Sequence, residues 1–190
     1  MFRTVLIVLF VLISCSPSAA DKEARPYPYV ATANNGRFYF KMSPDPNDPN
    51  AQWDLGKGYG TLFEVNNDGT EKALWKVEGW YAFTTYISDD GKYLVRMNIW
   101  PRGQEPSDEH LAIAFYKNGK LLKSYATKDL IKKPSVIRPT ISHYSYLKKI
   151  AGFEEPYNYR FTIQTVDGLE WVFDASSGAI ISQEPIKEIK

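Results

Sequence analysis

Apolar and polar residues alternate with a period of two over most of the chain. In Y-R-F-T-I-Q-T-V, Tyr159, Phe161 and Ile163 fall on one face and Arg160, Thr162 and Gln164 on the other, as in a strand with one buried side. In K-Y-L-V-R-M-N-I-W, Tyr93, Val95, Met97 and Ile99 oppose Leu94, Arg96 and Asn98, and Leu111, Ile113 and Phe115 oppose Ala112, Ala114 and Tyr116. Between such stretches stand Asn35-Gly36, Asp68-Gly69, Asp90-Gly91, Asn118-Gly119, Asp167-Gly168 and Ser177-Gly178. Asn and Asp tolerate positive φ and Gly prefers it, so these pairs predict two-residue hairpin turns. The pattern predicts strands at 37–42, 60–66, 71–78, 81–88, 92–99, 111–117, 120–125, 159–166 and 169–175, with a tenth at 179–182. Helix is scarce. Thr127 is a candidate N-cap for one or two turns that Pro134 stops, and the period of residues 142–150 suits a short helix or a strand equally.

The fold expected from this pattern is all-β: an antiparallel hairpin meander forming a sandwich or open barrel, with one or two short helices. Ser88-Asp89-Asp90-Gly91-Lys92-Tyr93-Leu94-Val95 resembles the S-P-D-G-K-Y-L-V hairpin of β-propeller repeats, and W-V-F-D-A-S-S-G-A-I-I from Trp171 is similar to the unit that closes a propeller blade. That resemblance implies blade-like hairpins. The Gly turns are separated by 33, 22, 28, 49 and 10 residues, whereas propeller repeats recur at about 40 to 45, so the spacing speaks against a full ring.

The N-terminus departs from this pattern. A basic start at Arg3 precedes an apolar run at 5–13, about the length of a signal h-region and shorter than the ~20 residues of a membrane span. The run ends in Leu12-Ile13-Ser14-Cys15, which resembles the lipobox of bacterial lipoproteins. That resemblance implies cleavage before Cys15, acylation of its sulfur and new amino group, and a bilayer partner held through the lipid. Ser16, where an Asp would retain such a protein in the inner membrane, implies the periplasmic face of the outer membrane. Ser18-Ala19-Ala20 also suits an ordinary cleavage site, which would release a soluble periplasmic or secreted protein. The domain reading is a signal peptide at 1–14, a lipidated Cys15 with a tether to residue 28, and one β-rich domain at 29–190. The tether, with three prolines in 16–28, spans about 20 Å as a coil and at most about 45 Å extended.

Without residues 1–14, which hold Arg3 and no acid, 22 basic and 22 acidic side chains remain. A neutral domain has no electrostatic reason to bind nucleic acid. With the single cysteine, Cys15, assigned to lipid, no disulfide supports the domain, so its stability rests on a packed core.

Complete catalytic constellations are missing from the sequence. No G-x-S-x-G or H-E-x-x-H occurs, and the two histidines are His110 and His143. Ser145-Tyr146-Leu147-Lys148 matches S-x-x-K, where a lysine one helical turn on would deprotonate the serine, but its companion motifs are absent. His110, beside Asp108 and Glu109, is expected to face solvent. Residues 43–54 gather Asp45, Asn47, Asp48, Asn50 and Asp54 among prolines, which suits an exposed turn as well as a calcium loop, and the glycine and terminal Glu of an EF-hand are lacking. Asp89, Asp90, Glu154 and Glu155 are the acids a hydrolase would have to pair. G-K-G-Y-G at 56–60 has no helix after it to make it a phosphate loop.

Aromatic residues remain. Trp53, Trp80, Trp100 and His143 are the candidate binding residues, with Tyr59, Tyr86, Tyr144 and Tyr157 near them in kind. The sequence therefore predicts a non-catalytic outer-membrane lipoprotein, without cofactor or metal, whose domain binds or scaffolds an envelope protein. A glycan- or peptidoglycan-binding module is the first alternative and an envelope hydrolase the second.

Overall fold

A computed structural model describes residues 24–48, 56–154 and 159–187. Residues 1–23, which include Cys15, the expected signal and most of the expected tether, lie outside the described residues, as do Asn50, Trp53, Asp54, Glu155 and Tyr157. Twelve strands are described: β1 (Tyr29–Thr32), β2 (Phe38–Pro44), β3 (Gly58–Val65), β4 (Glu71–Glu78), β5 (Thr84–Ile87), β6 (Tyr93–Met97), β7 (Leu111–Lys117), β8 (Lys120–Ala126), β9 (Leu147–Phe153), β10 (Arg160–Thr165), β11 (Leu169–Asp174) and β12 (Ala179–Pro185). One helix, α1 (Thr127–Leu130), and one 3₁₀ turn follow β8.

The strands form three four-stranded antiparallel sheets, each a meander in chain order: β1 to β4, β5 to β8 and β9 to β12. The sheets begin at Tyr29, Thr84 and Leu147. Their unequal spacing comes from the connections between them, which hid the threefold repeat when turn intervals alone were counted. The all-β meander is confirmed in an open form: three blade-like sheets stacked face to face, not closed into a ring.

The second sheet is the middle layer. Phe40, Met42, Leu62 and Val77 of the first sheet share a core with Leu94, Ala114 and Tyr116. From the other side, Val95, Ile113 and Phe115 pack with Phe161, Ile163, Trp171 and Phe173 of the third. Both faces of β6 and β7 are therefore covered, so their sequences run almost continuously apolar instead of alternating cleanly. Each fully buried Val, Leu, Ile, Phe or Met among them contributes about 1.5–3 kcal/mol.

The hairpin prediction holds with a change of turn type. Only Asn118-Gly119 has positive φ at both residues, 48° and 79°, as a two-residue type I′ turn needs. At the turn 66–70, Gly69 alone is left-handed, the Gly69 N–H donates to the Asn66 carbonyl and the Asn66 N–H to the Thr70 carbonyl, which is a type I turn closed by a Gly bulge.

Because every sheet is a simple meander, its connections alternate between two ends of the stack. One end carries the tight turns at 33–37, 66–70, 88–92, 118–119 and 175–178. There Asn35 Nδ2 donates to the Asp89 carbonyl (2.7 Å) and ties the first sheet to the second. The opposite end carries residues 45–48 and 56–57 and the connections 79–83, 98–110 and 127–146, and we call it the loop end.

Candidate functional site

The loop end is built by two connections that brace each other. Residues 98–110 and 131–146 meet in two isolated bridges, Arg102 with His143 and Pro139 with Tyr144. The Gly103 N–H donates to the Ser142 carbonyl (3.2 Å) and the Tyr144 N–H to the Pro101 carbonyl (3.2 Å). Trp100 stacks on His143 with ring centroids 3.4 Å apart and planes 17° from parallel. His143 Nδ1 lies 2.8 Å from Thr140 Oγ1, and the Thr140 N–H donates to the His143 carbonyl (2.7 Å), closing the turn 140–143. Gln104 Nε2 donates to the Thr140 carbonyl at 3.0 Å. At the tip of this braced turn stands Ile141, 85% exposed, the most exposed large apolar side chain among the described residues.

Beneath the turn, buried tyrosines fix both segments to the core. The Tyr144 hydroxyl lies 2.6 Å from Thr127 Oγ1 and 2.9 Å from His110 Nδ1, and burial pushes its pKa above the ordinary tyrosine range against the lowering effect of the Thr127 contact. The Tyr146 hydroxyl lies 2.8 Å from the carbonyls of both Asn98 and Ala112. Thr127 is not the expected N-cap. Ala126 occupies that position, its N–H donating to Asp129 Oδ2, and Thr127 is fully buried in the Tyr144 network.

A second aromatic group closes the joint between the first and second sheets. Tyr81 packs edge-on to Phe83 and Tyr29, and Trp80 lies 5.3 Å from the Tyr116 ring. The Arg96 guanidinium sits over the Trp80 ring at 4.5 Å. Burial lowers its pKa, offset in part by the Tyr116 hydroxyl. Tyr27, just before β1, is also engaged: the Tyr81 hydroxyl donates to its carbonyl (2.9 Å).

Of the residues singled out by sequence, Trp80, Trp100 and His143 all lie at the loop end. Trp100 and His143 touch; Trp80 belongs to the other joint. Trp53 and Cys15 fall outside the described residues. His110, expected in solvent, is half-buried against Tyr144. Ser145 is exposed just before β9, on no helix, and its hydroxyl donates to the Leu147 carbonyl (3.2 Å), so the S-x-x-K spacing places no lysine over it. Asp45 Oδ1 accepts from the Asn47 N–H (2.9 Å) and Asp48 from the Lys57 N–H, the contacts of a turn. Among the described residues no three His, Cys, Asp or Glu side chains converge as metal ligands.

The glycines of G-K-G-Y-G have a packing role. A Cβ on Gly60 would stand 2.0 Å from Phe40 Cζ, and one on Gly58 2.7 Å from the Ser43 carbonyl oxygen. At the turn end an open cleft of about 570 Å³ is lined by Phe38, Glu64, Leu74, Trp75, Asp90 and Lys92. Three of its polar groups are already engaged: Glu64 with Arg37 (2.6 Å), Asp90 with Lys92 (3.2 Å), and Trp75 Nε1 with the Gly91 carbonyl (2.9 Å). Sequence reasoning missed Ile141 and Arg96. A lone isoleucine between Thr140 and Ser142 carries no periodic signal, and Arg96 looked like an outward residue of a half-buried strand.

No family model matches the chain, and no curated protein does. Solved structures with similar strand arrangement include the crystal structure of HIRA(644-1017), 11% identical, covering 90% of this chain and 43% of that one at a TM-score of 0.46. A structure of the Dos1 propeller is 11% identical over 83% of this chain and 33% of its own, at 0.43. The C-terminal WD40 domain of Sif2 is 10% identical over 71% and 35%, at 0.33. The chain spans less than half the length of each.

Proposed function

We propose that this chain is a lipid-anchored, non-catalytic module at the periplasmic face of the outer membrane, whose loop end binds a protein of the envelope. The observation that carries the binding role is Ile141, an apolar side chain exposed at the tip of a turn braced by a ring stack, two bridges and a buried tyrosine network. Exposing an isoleucine is unfavourable unless something covers it, and a pre-ordered anchor loses little entropy when that happens. The location rests on L-I-S-C at 12–15. The non-catalytic reading is supported by Ser145, whose hydroxyl donates to the Leu147 carbonyl, and by the two histidines, each hydrogen-bonded within the brace, His143 to Thr140 and His110 to Tyr144. The glycan alternative ranks behind because Trp100 gives one face to His143 and Trp80 one face to Arg96.

A photo-crosslinking residue placed at position 141 of the full-length protein in its own envelope is expected to trap a discrete protein adduct. The same residue at position 67, in a turn at the opposite end, should trap none. Adducts from position 67 with none from 141 would reject the loop end as the binding surface.

A further inference from the structure

In each of the three sheets the last strand bulges against its neighbour at a large aliphatic residue, and the β7–β8 pair has a second irregularity at Ala112 of β7. Leu74 falls between Ala73 and Trp75 in β4, Leu122 between Leu121 and Lys123 in β8, and Ile181 between Ile180 and Ser182 in β12. They are 37%, 39% and 48% exposed, and the adjoining Leu121 and Ile180 are 57% and 40% exposed. We call these three edge strands, one from each sheet, the rim. The turn at Gly119 seats on β4, where a Cβ would stand 2.2 Å from the Lys76 carbonyl oxygen, and the turn at Gly178 seats on β8, where its carbonyl accepts from the Tyr125 hydroxyl at 2.8 Å.

A bulge on an edge strand guards against pairing with another chain. It does not require an exposed leucine or isoleucine, and a polar residue would serve as well. Charge supplies the second observation. The positive charge is concentrated at β8: residues 111–128 contain no acid, and Lys117, Lys120 and Lys123 are exposed and hold no ion pair among the described residues, Lys117 and Lys123 lying over the Tyr93 and Tyr125 rings, while β4 carries Lys72 and Lys76 with Glu71 and Glu78, and β12 carries Glu184. Broken ladders and lysines oppose strand addition by a protein. Aliphatic tips beside long lysines fit a membrane interface, with carbon below the headgroups and ammonium groups at the phosphates.

We propose that this rim docks on an anionic lipid surface. The docking goes beyond the loop-end reading and needs neither the partner at Ile141 nor acylation of Cys15. It is tested in the full chain carrying Cys15→Ser, with an environment-sensitive fluorophore on Leu122→Cys or Ile181→Cys and, as control, on Ser135→Cys at the loop end. Vesicles of phosphatidylethanolamine with phosphatidylglycerol are expected to blue-shift both rim probes and leave the control unchanged, while phosphatidylcholine alone gives little shift. Combining Lys117→Gln, Lys120→Gln and Lys123→Gln is expected to weaken the response about a hundredfold with thermal unfolding unchanged. Rim probes that stay water-like while the protein floats with the vesicles would overturn the proposal. So would a response indifferent to lipid charge and to the lysines, or one produced by envelope protein and not by lipid. Because the probes report the rim itself, a failure here is distinct from a missing acyl anchor or a silent Ile141.

Discussion

Gly60→Ala tests how the first sheet meets the core. Gly60 has no positive φ among the left-handed glycines, so alanine suits its backbone, and only the approach of Phe40 opposes the change. The new methyl would stand 2.0 Å from Cζ and 2.7 Å from both Cε atoms of a ring that is fully buried, where carbon atoms prefer about 3.5–4.0 Å. The ring must move by more than an ångström, and Trp75, with its ring centroid 5.9 Å away, restricts that movement. Overpacking of this kind costs about 1–3 kcal/mol, and the smaller entropy loss of alanine offsets about 0.5–1 kcal/mol of it. A net loss of about 1–2 kcal/mol corresponds to a fall in Tm of about 2–8 °C for a domain of this size. Thermal and urea unfolding followed by circular dichroism would measure it, with Gly60→Ala repeated in a Phe40→Leu background. There the shorter side chain makes room, and the cost of the alanine should shrink by about 1 kcal/mol or more. A Gly60→Ala protein as stable as the parent, or the same penalty in both backgrounds, would refute the close-approach reasoning.

Tyr144→Phe should destabilise by about 1–3 kcal/mol in the same assay, because Thr127 and His110 lose their buried partner; a change near zero would show that the network does not brace the loop end. The Asp90 carboxyl is raised by burial but lowered further by bonds from Ser88, Lys92 and Tyr159, so its folded pKa lies below the ordinary value. Its contribution is therefore present above the unfolded pKa near ~3.9 and lost as pH falls through the folded one. Melting temperature measured against pH should decline less steeply on the acid side in Asp90→Asn, with a residual slope from Asp68 and Asp174, which are also lowered; identical slopes would contradict this. Ser145→Ala should leave stability within about 0.5 kcal/mol and any envelope phenotype intact, and a lost phenotype would reopen the hydrolase reading.

Strands that alternate or run apolar between Gly turns were legible: 71–78 and 111–117 were predicted with the bounds of β4 and β7. The short β1 was hidden because Tyr29–Thr32 has no room to show a period and adjoins the proline-rich tether. β9 was ambiguous because Lys148 and Lys149 interrupt its apolar positions at an edge. The stacking of three sheets was out of reach for a different reason. Alternation says that one face of a strand is buried, whereas β6 and β7 are buried on both, and only the partner sheets determine that. At the loop end the stacked Trp100 and His143 were singled out by residue type, but the turn they hold up, with Ile141 at its tip, arises from contacts between segments about 40 residues apart, which no local pattern encodes.

An envelope partner presupposes that the protein is held at the envelope, so lipid attachment is the claim to measure first. Cells making the intact protein or Cys15→Ser would be fed radiolabelled palmitate and their membranes fractionated. Label on the intact protein, partition with the outer membrane, and loss of both in Cys15→Ser are expected. An unlabelled, freely soluble protein beginning after Ala20 would contradict lipid attachment.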